Sequence, residues 1–209
     1  MTDRSATSRT LRVLVASSLI VLSLGSQLTG AAVPSHDRIR VLESARPIGD
    51  ATLTDQNGDA FTLGSLRGRV ALVLFGYTNC PDVCPLAMEQ LRELHDSGLL
   101  SPDDKVAYVL ISVDGDRDTP AVVKAFLAKY SSDFIGLTAP PAAVKPIAGR
   151  FSVSFFEGGH DHGGHYTVAH SSQIFVVDPT GNVRAESYGA SPEAMADVVR
   201  ALNAETDGR

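Results

Sequence analysis

The chain has 209 residues, which is long enough to bury a hydrophobic core without covalent cross-links. Its 18 basic and 24 acidic residues give a net charge of −6, and they form no lysine and arginine cluster suited to a phosphate backbone. Nucleic acid is therefore excluded as an expected partner.

The first 32 residues differ in character from the rest of the chain. Basic residues in the first twelve positions precede the apolar run Val13–Gly25, and the small residues Thr29–Ala32 follow it. This order is typical of an export signal, and the apolar run is short for a membrane span. Residues 1–32 are predicted to be a signal peptide or a membrane anchor. The protein is then exported, and is either periplasmic or anchored to the outer face of the inner membrane.

The folded domain is predicted to begin after a short connecting segment. Residues 33–46 are polar and are predicted to be a tether, so the domain is expected to span residues 47–209. The domain opens with a predicted β-hairpin over Ala51–Leu63, because Asn57 and Gly58 form a strong turn signal between two short strand-like runs.

Strands and helices alternate through the rest of the chain. Apolar runs predict the strands, and apolar residues at helical spacing between capping residues predict the helices. The predicted strands are Arg69–Tyr77, Lys105–Val113, Phe134–Leu137 and Gln173–Val177, and the predicted helices are Pro85–Ser97, Pro120–Tyr130, Ala142–Arg150 and one that begins at Ser191. This order, with a hairpin at Asp178–Gly181, predicts an α/β fold whose central sheet is covered by helices on both faces.

The only two cysteines lie in the segment YTNCPDVCP, residues 77–85, directly after the first long strand. In such sheets a ligand site lies beyond the carboxyl ends of the strands, and Asp114 follows the next strand at the matching place. Pro85 favours a helix start nearby, so both sulfurs are expected at a helix N-terminus, where the pKa of a cysteine is lowered.

Cys80 and Cys84 could serve as a staple, a redox pair or a metal site. A bridge across so short a loop constrains the unfolded chain little, which makes the staple the weakest interpretation. Three residues separate the cysteines, one more than in the Cys-x-x-Cys motif of dithiol oxidoreductases. The wider spacing suits two sulfurs on one soft metal ion, although it also permits a disulfide. A histidine is the expected third ligand, and His170 immediately precedes a predicted strand.

Three motifs in this order and spacing resemble the Sco/SenC family: FGYTNCPDVCP, ISVDGDRDTP and YTVAHSSQIFVVDPTGNV. The resemblance covers residues 47–203 and implies a thioredoxin-like fold with a central mixed sheet. It also implies a copper chaperone that delivers copper to the dinuclear centre of cytochrome c oxidase subunit II. Residue by residue, the copper ligands fall on Cys80, Cys84 and His170, and Asp114 matches an acid that the family places near the metal.

Two positions depart from the family pattern. Ala169 stands where an acidic residue often precedes the histidine, and Gly115 stands where a proline usually follows the aspartate. Neither change removes a ligand, but Ala169 weakens the expected support of His170. Asp114 also has an ordinary interpretation, in which it caps a turn or pairs with Arg117.

The segment GGHDHGGH, Gly158–His165, looks like an insertion special to this chain. Glycine makes ordering costly, so a solvated loop is the first interpretation. The alternative is an auxiliary copper-acquiring tract built from His160, His162 and His165.

Other side chains near the motifs are predicted to pack in the core rather than to bind. They are Met88, Phe151, Phe155 and Phe156.

A second function remains open beside copper delivery. The cysteines could form a thiol-disulfide oxidoreductase that keeps partner cysteines reduced, with Cys80 attacking and Cys84 resolving. His170 discriminates the two, because a dithiol exchanger does not need it. Other copper chaperones and thioredoxin-like reductants are the further partners expected, and no catalytic residue beyond this redox pair is assigned.

Overall fold

The computed structural model describes residues 38–160, 166–169 and 172–208. Within these ranges the chain forms ten strands and four α-helices, with 3₁₀ turns at Leu63–Leu66 and Pro102–Asp104. The strands are β1 (Ile39–Pro47), β2 (Thr52–Asp55), β3 (Ala60–Thr62), β4 (Val70–Gly76), β5 (Val106–Ser112), β6 (Ile135–Thr138), β7 (Phe156–His160), β8 (Tyr166–Ala169), β9 (Ile174–Val177) and β10 (Asn182–Ser187). The helices are α1 (Val83–Asp96), α2 (Pro120–Leu127), α3 (Pro141–Arg150) and α4 (Pro192–Asp207).

Eight strands form one mixed sheet, in the order β1-β10-β9-β4-β5-β6-β2-β3. β4, β5 and β6 run parallel to one another, and the other neighbours in the sheet are antiparallel. β7 and β8 form a separate two-stranded hairpin. The predicted α/β fold with a central mixed sheet is therefore confirmed.

The sheet separates two hydrophobic layers, and β4 contributes to both. Its seven residues are all buried, as the continuous apolar run predicts. Val73 and Phe75 belong to the layer that contains residues of α3, whereas Leu72 and Leu74 belong to the layer that contains residues of α1, α2 and α4. Successive strand residues point to opposite faces, so this alternation places helices on both sides of the sheet.

Hydroxyl side chains cap the N-termini of α2 and α4. The Thr119 hydroxyl accepts a hydrogen bond from the Val122 amide at 3.4 Å before α2, and the Ser191 hydroxyl accepts one from the Ala194 amide at 3.3 Å before α4. A proline at the first helical position follows each cap, where its missing N–H costs no helical hydrogen bond.

The predicted tether is wrong for residues 39–46, which belong to the edge strand β1. β1 pairs with β10, and its side chains are bound to a buried carboxylate: Arg40 and Arg46 lie 2.5 and 2.9 Å from Glu186. A strand at the edge of a sheet carries exposed polar residues, so its sequence looks like a connecting segment.

In the part of the chain that the structure describes, none of the helices has the length and apolar character of a membrane span.

The β7–β8 hairpin is the second difference from the sequence prediction. The predicted solvated loop Gly158–His165 is wrong for residues 158–160, which are the end of β7. Glycine is disfavoured in strands, which hides such a strand from propensity. Pairing with β8 forms it, with Phe156 opposite Ala169 and Glu157 opposite Val168.

Candidate metal or redox site

Parallel pairing of β4 and β5 brings two loops together at one edge of the sheet. Gly76 at the end of β4 is in register with Ser112 at the end of β5. The segment of residues 77–85, called the cysteine loop below, follows β4, and the residues that include Asp114 and Asp118 follow β5. Cys80 and Asp114 therefore follow the carboxyl ends of two neighbouring parallel strands, as the sequence predicts.

Both cysteines are buried, at 8% exposure for Cys80 and 1% for Cys84, and neither is in a disulfide. Cys84 is the second residue of α1, as the position of Pro85 predicts, and its thiol is in hydrogen-bonding contact with that of Cys80. Two neighbouring sulfurs that are not joined by a disulfide can bind one soft metal ion together, or they can be oxidised to a disulfide.

Gly76 makes room for the Cys84 sulfur. A Cβ atom at Gly76 would lie 2.9 Å from Cys84 Sγ and 3.3 Å from a methyl carbon of Leu110. The sulfur therefore packs directly against the backbone of β4, and a larger residue at the end of the strand would push it away. This close approach cannot be read from the run VALVLFG itself.

The low cysteine pKa predicted from the helix N-terminus is wrong for Cys84. Burial raises the pKa of the Cys84 thiol, and a hydrogen bond from the backbone N–H of Tyr77 only partly opposes it. The neighbouring Cys80 and the charge of Asp118 raise it further. In the absence of a cation the thiol stays protonated at neutral pH, because a dry site disfavours the thiolate more than the helix end favours it.

Asp118 anchors the cysteine loop, although the sequence did not predict a role for this residue. Its carboxylate is fully buried and accepts hydrogen bonds from the Thr78 amide at 3.0 Å, the Thr78 hydroxyl at 2.6 Å and the Ser112 hydroxyl at 2.7 Å. The available signal was the run of polar residues directly after β5. Buried carboxylates need several donors, and here the donors tie the loop after β4 to the end of β5.

Asp114 lies at the same strand end, and its carboxylate is occupied by other side chains. Oδ2 accepts a hydrogen bond from Arg117 Nε at 2.6 Å, and Oδ1 accepts one from the Tyr166 hydroxyl at 2.7 Å. The bond to Asp114 raises the pKa of Tyr166 to about 12. The structure thus contains the pairing with Arg117 that the sequence offered as the ordinary interpretation.

Gly115 allows the loop after β5 to pack closely. A Cβ atom here would lie 1.9 Å from the carbonyl oxygen of Ala139. A proline, which the family pattern has at this position, would meet that carbonyl unless the loop shifted.

His162, His165 and His170 lie outside the described residues, and only the backbone of His160 is described, at the end of β7. Across residues 38–160, 166–169 and 172–208, no group of three or more His, Cys, Asp or Glu side chains could hold a metal ion.

Three of the four side chains predicted to pack do so. Met88, Phe151 and Phe155 are buried. Phe156 is the exception, at 66% exposure. It begins β7 directly after the buried Phe155, and successive residues of an extended chain point to opposite sides.

Comparison with known proteins places this geometry in a family. The model of the SCO1/SenC family matches residues 41–204. A SCO2-like protein of Rickettsia conorii is 30% identical over 200 residues, which cover 92% of this chain and 97% of the relative.

Two solved structures are similar to the fold. The copper-bound structure of Bradyrhizobium japonicum ScoI has a TM-score of 0.67 and 36% identity, and the match covers 74% of this chain and 98% of that one. BsSco, described as a member of the Sco family of cytochrome c oxidase assembly proteins, has a TM-score of 0.63, with 78% and 98% coverage. At 22% identity, the second likeness shows the fold alone.

Proposed function

This chain belongs to the SCO1/SenC family, and from that premise we propose that it binds copper and acts in the assembly of cytochrome c oxidase. The observation that carries the proposal is the pair of buried thiols of Cys80 and Cys84, which form no disulfide, beyond the carboxyl end of β4. The 36% identity to a protein whose structure contains copper supports the choice of metal.

The thiol pair fits monovalent copper on chemical grounds. Thiolates are soft ligands that favour Cu⁺, and a buried site with few competing oxygen ligands favours a soft ion over a hard one. The raised pKa of Cys84 also fits, because a bound cation supplies the charge that stabilises a buried thiolate. Copper uptake then releases a proton, so acid opposes it. Copper is the cargo of such a protein.

His170 is proposed as the third ligand, together with the two cysteines. It is the first residue after β8 in the sequence, so the chain enters it from a strand rather than from a free loop. Imidazole is a good copper ligand, and one nitrogen beside two sulfurs retains the site's preference for Cu⁺. Asp114 is proposed to support the site indirectly, through the side chains to which it is bound.

The cellular location of the protein and the acceptor of its copper are also proposed. We propose that residues 1–32 export or anchor the chain, that the domain acts outside the cytoplasm, and that it delivers copper to the dinuclear centre of subunit II. Ligand exchange with a partner needs no catalytic turnover. A fusion of residues 1–46 to a periplasmic reporter tests export: reporter activity in the cytoplasm alone would contradict it.

The central experiment is a Cu⁺ titration of the reduced protein, followed by X-ray absorption. We expect one tightly bound copper with two sulfur neighbours and one nitrogen neighbour. Cys80→Ser or Cys84→Ser should abolish tight binding, because a hydroxyl is a poor Cu⁺ ligand. His170→Ala should weaken binding while leaving both sulfurs on the metal. Only nitrogen and oxygen neighbours in the parent protein would contradict the proposal.

A thiol-disulfide oxidoreductase is the second candidate, and the contact between the two reduced thiols favours it. In that function the pair would reduce a partner disulfide: two partner thiols form, and the Cys80 and Cys84 thiols become a disulfide. His170→Ala separates the candidates. If that variant keeps full copper affinity, and each cysteine variant loses disulfide exchange with a model dithiol, the redox function replaces copper delivery.

An auxiliary copper tract is proposed at His160, His162 and His165. Glycines surround these residues in the sequence, so any bound metal carries an ordering cost and the affinity should be weaker than at the cysteines. Replacing all three by alanine should remove a second, weaker equivalent of Cu²⁺ and leave the first equivalent unchanged. If parent and variant bind the same number of equivalents with the same affinity, the tract has no part in metal binding.

A further inference from the structure

The β7–β8 hairpin is held to the rest of the domain differently from every other described strand pair. Its two strands pair only with each other, outside the eight-stranded sheet. Its position relative to the cysteine loop is therefore set by side-chain contacts and by packing, for which Val168 supplies a buried apolar side chain. Two residues outside the hairpin, Arg117 and Tyr77, form polar contacts with β8.

Arg117 binds the loop after β5 and the hairpin at the same time. Its Nε donates to Asp114 Oδ2 at 2.6 Å, and its Nη2 lies 2.5 Å from the same oxygen. Its Nη1 donates to the backbone carbonyl of Tyr166 at 3.1 Å. The guanidinium carbon lies 3.6 Å from the centroid of the Tyr166 ring, and the Tyr166 hydroxyl closes the circuit by donating to Asp114 Oδ1 at 2.7 Å. Each group of this circuit is therefore fixed by two or more others.

The same circuit reaches the cysteine loop through Tyr77. The Tyr77 ring centroid lies 5.8 Å from the guanidinium carbon of Arg117, and Tyr77 is 2% exposed. The Tyr77 hydroxyl accepts a hydrogen bond from the Val168 amide at 3.3 Å. Its backbone N–H donates to the sulfur of Cys84. One residue thus contacts both a cysteine and the strand β8.

We propose that Arg117 is a positioning residue for copper binding. It fixes Tyr166, the first residue of β8, to the loop after β5, and so sets the position of a four-residue strand whose last residue, Ala169, directly precedes His170 in the sequence. The inference rests on the proposed function, in which His170 is a copper ligand. Asp114 and Tyr166 act with Arg117 by holding its guanidinium in one orientation, which gives the buried acid a role that requires no contact with the metal.

The geometry requires arginine rather than any cation. A planar guanidinium can donate to a carboxylate and a carbonyl in one plane while it stacks on an aromatic ring, whereas an ammonium is a compact charge without that fork. Lysine would keep the charge beside Asp114, which is 1% exposed, and lose the stacking and the bond to the Tyr166 carbonyl. Arg117→Lys is therefore the selective test.

The experiment measures Cu⁺ affinity of the reduced full chain by competition with a chromophoric Cu⁺ chelator. Arg117→Lys should lower affinity about tenfold, as loss of an outer support of a metal ligand does, with two sulfur neighbours retained in X-ray absorption. In a His170→Ala background the same substitution should change affinity by about twofold or less, because the ligand that it positions is gone.

Arg184→Lys is the matched control. The side chain of Arg184 is 22% exposed, which is close to the 25% of Arg117. Arg184 also forms ion pairs with acidic residues, Asp178 and Glu205, and these lie away from the cysteine loop. We expect this variant to keep the parent affinity. Amide hydrogen exchange at Val168 should accelerate in Arg117→Lys and stay unchanged in the control.

Tyr166→Phe provides a second test if Arg117→Lys does not fold. It removes only the hydroxyl bond to Asp114, so a smaller affinity loss is expected, which again disappears without His170. An unchanged affinity in both variants, or an equal loss with and without His170, would overturn the positioning role and leave copper binding intact. A parent protein that binds no copper through sulfur would overturn the proposed function as well.

Discussion

The cysteine loop and the β7–β8 hairpin flank the same strand end, and they are stabilised in opposite ways. The cysteine loop is bonded to Asp118, a fully buried carboxylate that accepts three hydrogen bonds. Cys84 also packs directly on Gly76. The hairpin joins no edge of the main sheet. Arg117 holds it at Tyr166, the first residue of β8, the Val168 amide donates to the Tyr77 hydroxyl, and the Val168 side chain is buried.

This difference bears on the copper site proposed for Cys80, Cys84 and His170. The two sulfurs lie on a segment that cannot move without exposing or unpairing buried polar groups. The proposed nitrogen ligand follows β8, which lies outside the main sheet and is bonded to Arg117 and to the Tyr77 side chain. A site for transferred copper needs both properties, because the metal must be held and must also be released. Four predictions test the comparison.

The strongest test removes the anchor of the cysteine loop. Asp118→Ala leaves the Thr78 amide, the Thr78 hydroxyl and the Ser112 hydroxyl without their acceptor in a buried site. We expect the free energy of unfolding to fall by about 3 kcal/mol in chemical denaturation. Asp116→Ala is the control in the same loop; Asp116 is exposed, so a change of about 0.5 kcal/mol or less is expected. Equal effects of the two substitutions would contradict the anchor.

Gly76→Ala tests the packing of Cys84 against β4. The new methyl group would lie 2.9 Å from Cys84 Sγ, so we expect a loss of about 2 kcal/mol in unfolding free energy. The matched control is Gly149→Ala on the exposed side of α3, where a Cβ atom meets nothing within 4 Å. There the better helix propensity of alanine should add about 0.5 kcal/mol. A stabilising effect at both glycines would show that the sulfur does not occupy this contact.

The thiol of Cys84 should make the reduced, copper-free protein sensitive to alkali. Burial raises the pKa of Cys84 in the folded state, while an unfolded thiol ionises at about 8.5. Ionisation above that pH then favours the unfolded chain, so the stabilisation is complete below pH about 8.5 and is lost as the pH rises. Denaturation measured from pH 7 to 10 checks this, and Cys84→Ala should flatten the dependence. A parent and variant with the same slope would exclude the thiol as its source.

The smallest effect is expected on the hairpin. Phe156 is 66% exposed, so Phe156→Ala should change the free energy of unfolding by about 0.5 kcal/mol or less. Its neighbour Phe155 is buried, and Phe155→Ala should cost about 3 kcal/mol, which shows that the assay detects packing losses in this region. A large loss for Phe156→Ala would mean that the hairpin packs more extensively than the described contacts show.

Local patterns determine most of the fold. The continuous apolar run predicts β4, the Asn57-Gly58 turn predicts the β2–β3 hairpin, and Thr119 and Ser191 mark two helix starts. These features depend on residues close together in the chain, so their signal survives in the sequence. The position of Cys84 in the first turn of α1 follows in the same way from Pro85.

The pairings between distant residues could not be predicted. β1 reads as a polar segment until its pairing with β10, about 140 residues away, places Arg40 and Arg46 on Glu186. β7 contains glycine and has no strand propensity of its own. Edge strands and hairpin strands of this kind are stabilised by the strands with which they pair. The alternation of polar and apolar residues within one strand does not show which distant strand its partner will be.

The sequence by itself determined which residues could bind a soft metal: two cysteines at a strand end, with a histidine further along the chain. Tertiary structure alone decided how these residues behave. Burial reversed the expected pKa shift of Cys84, and Asp118 became the anchor of the cysteine loop. Arg117 became the link between the loop after β5 and β8. Residue type sets intrinsic affinity, whereas solvation and hydrogen bonding depend on which distant segments the fold brings into contact.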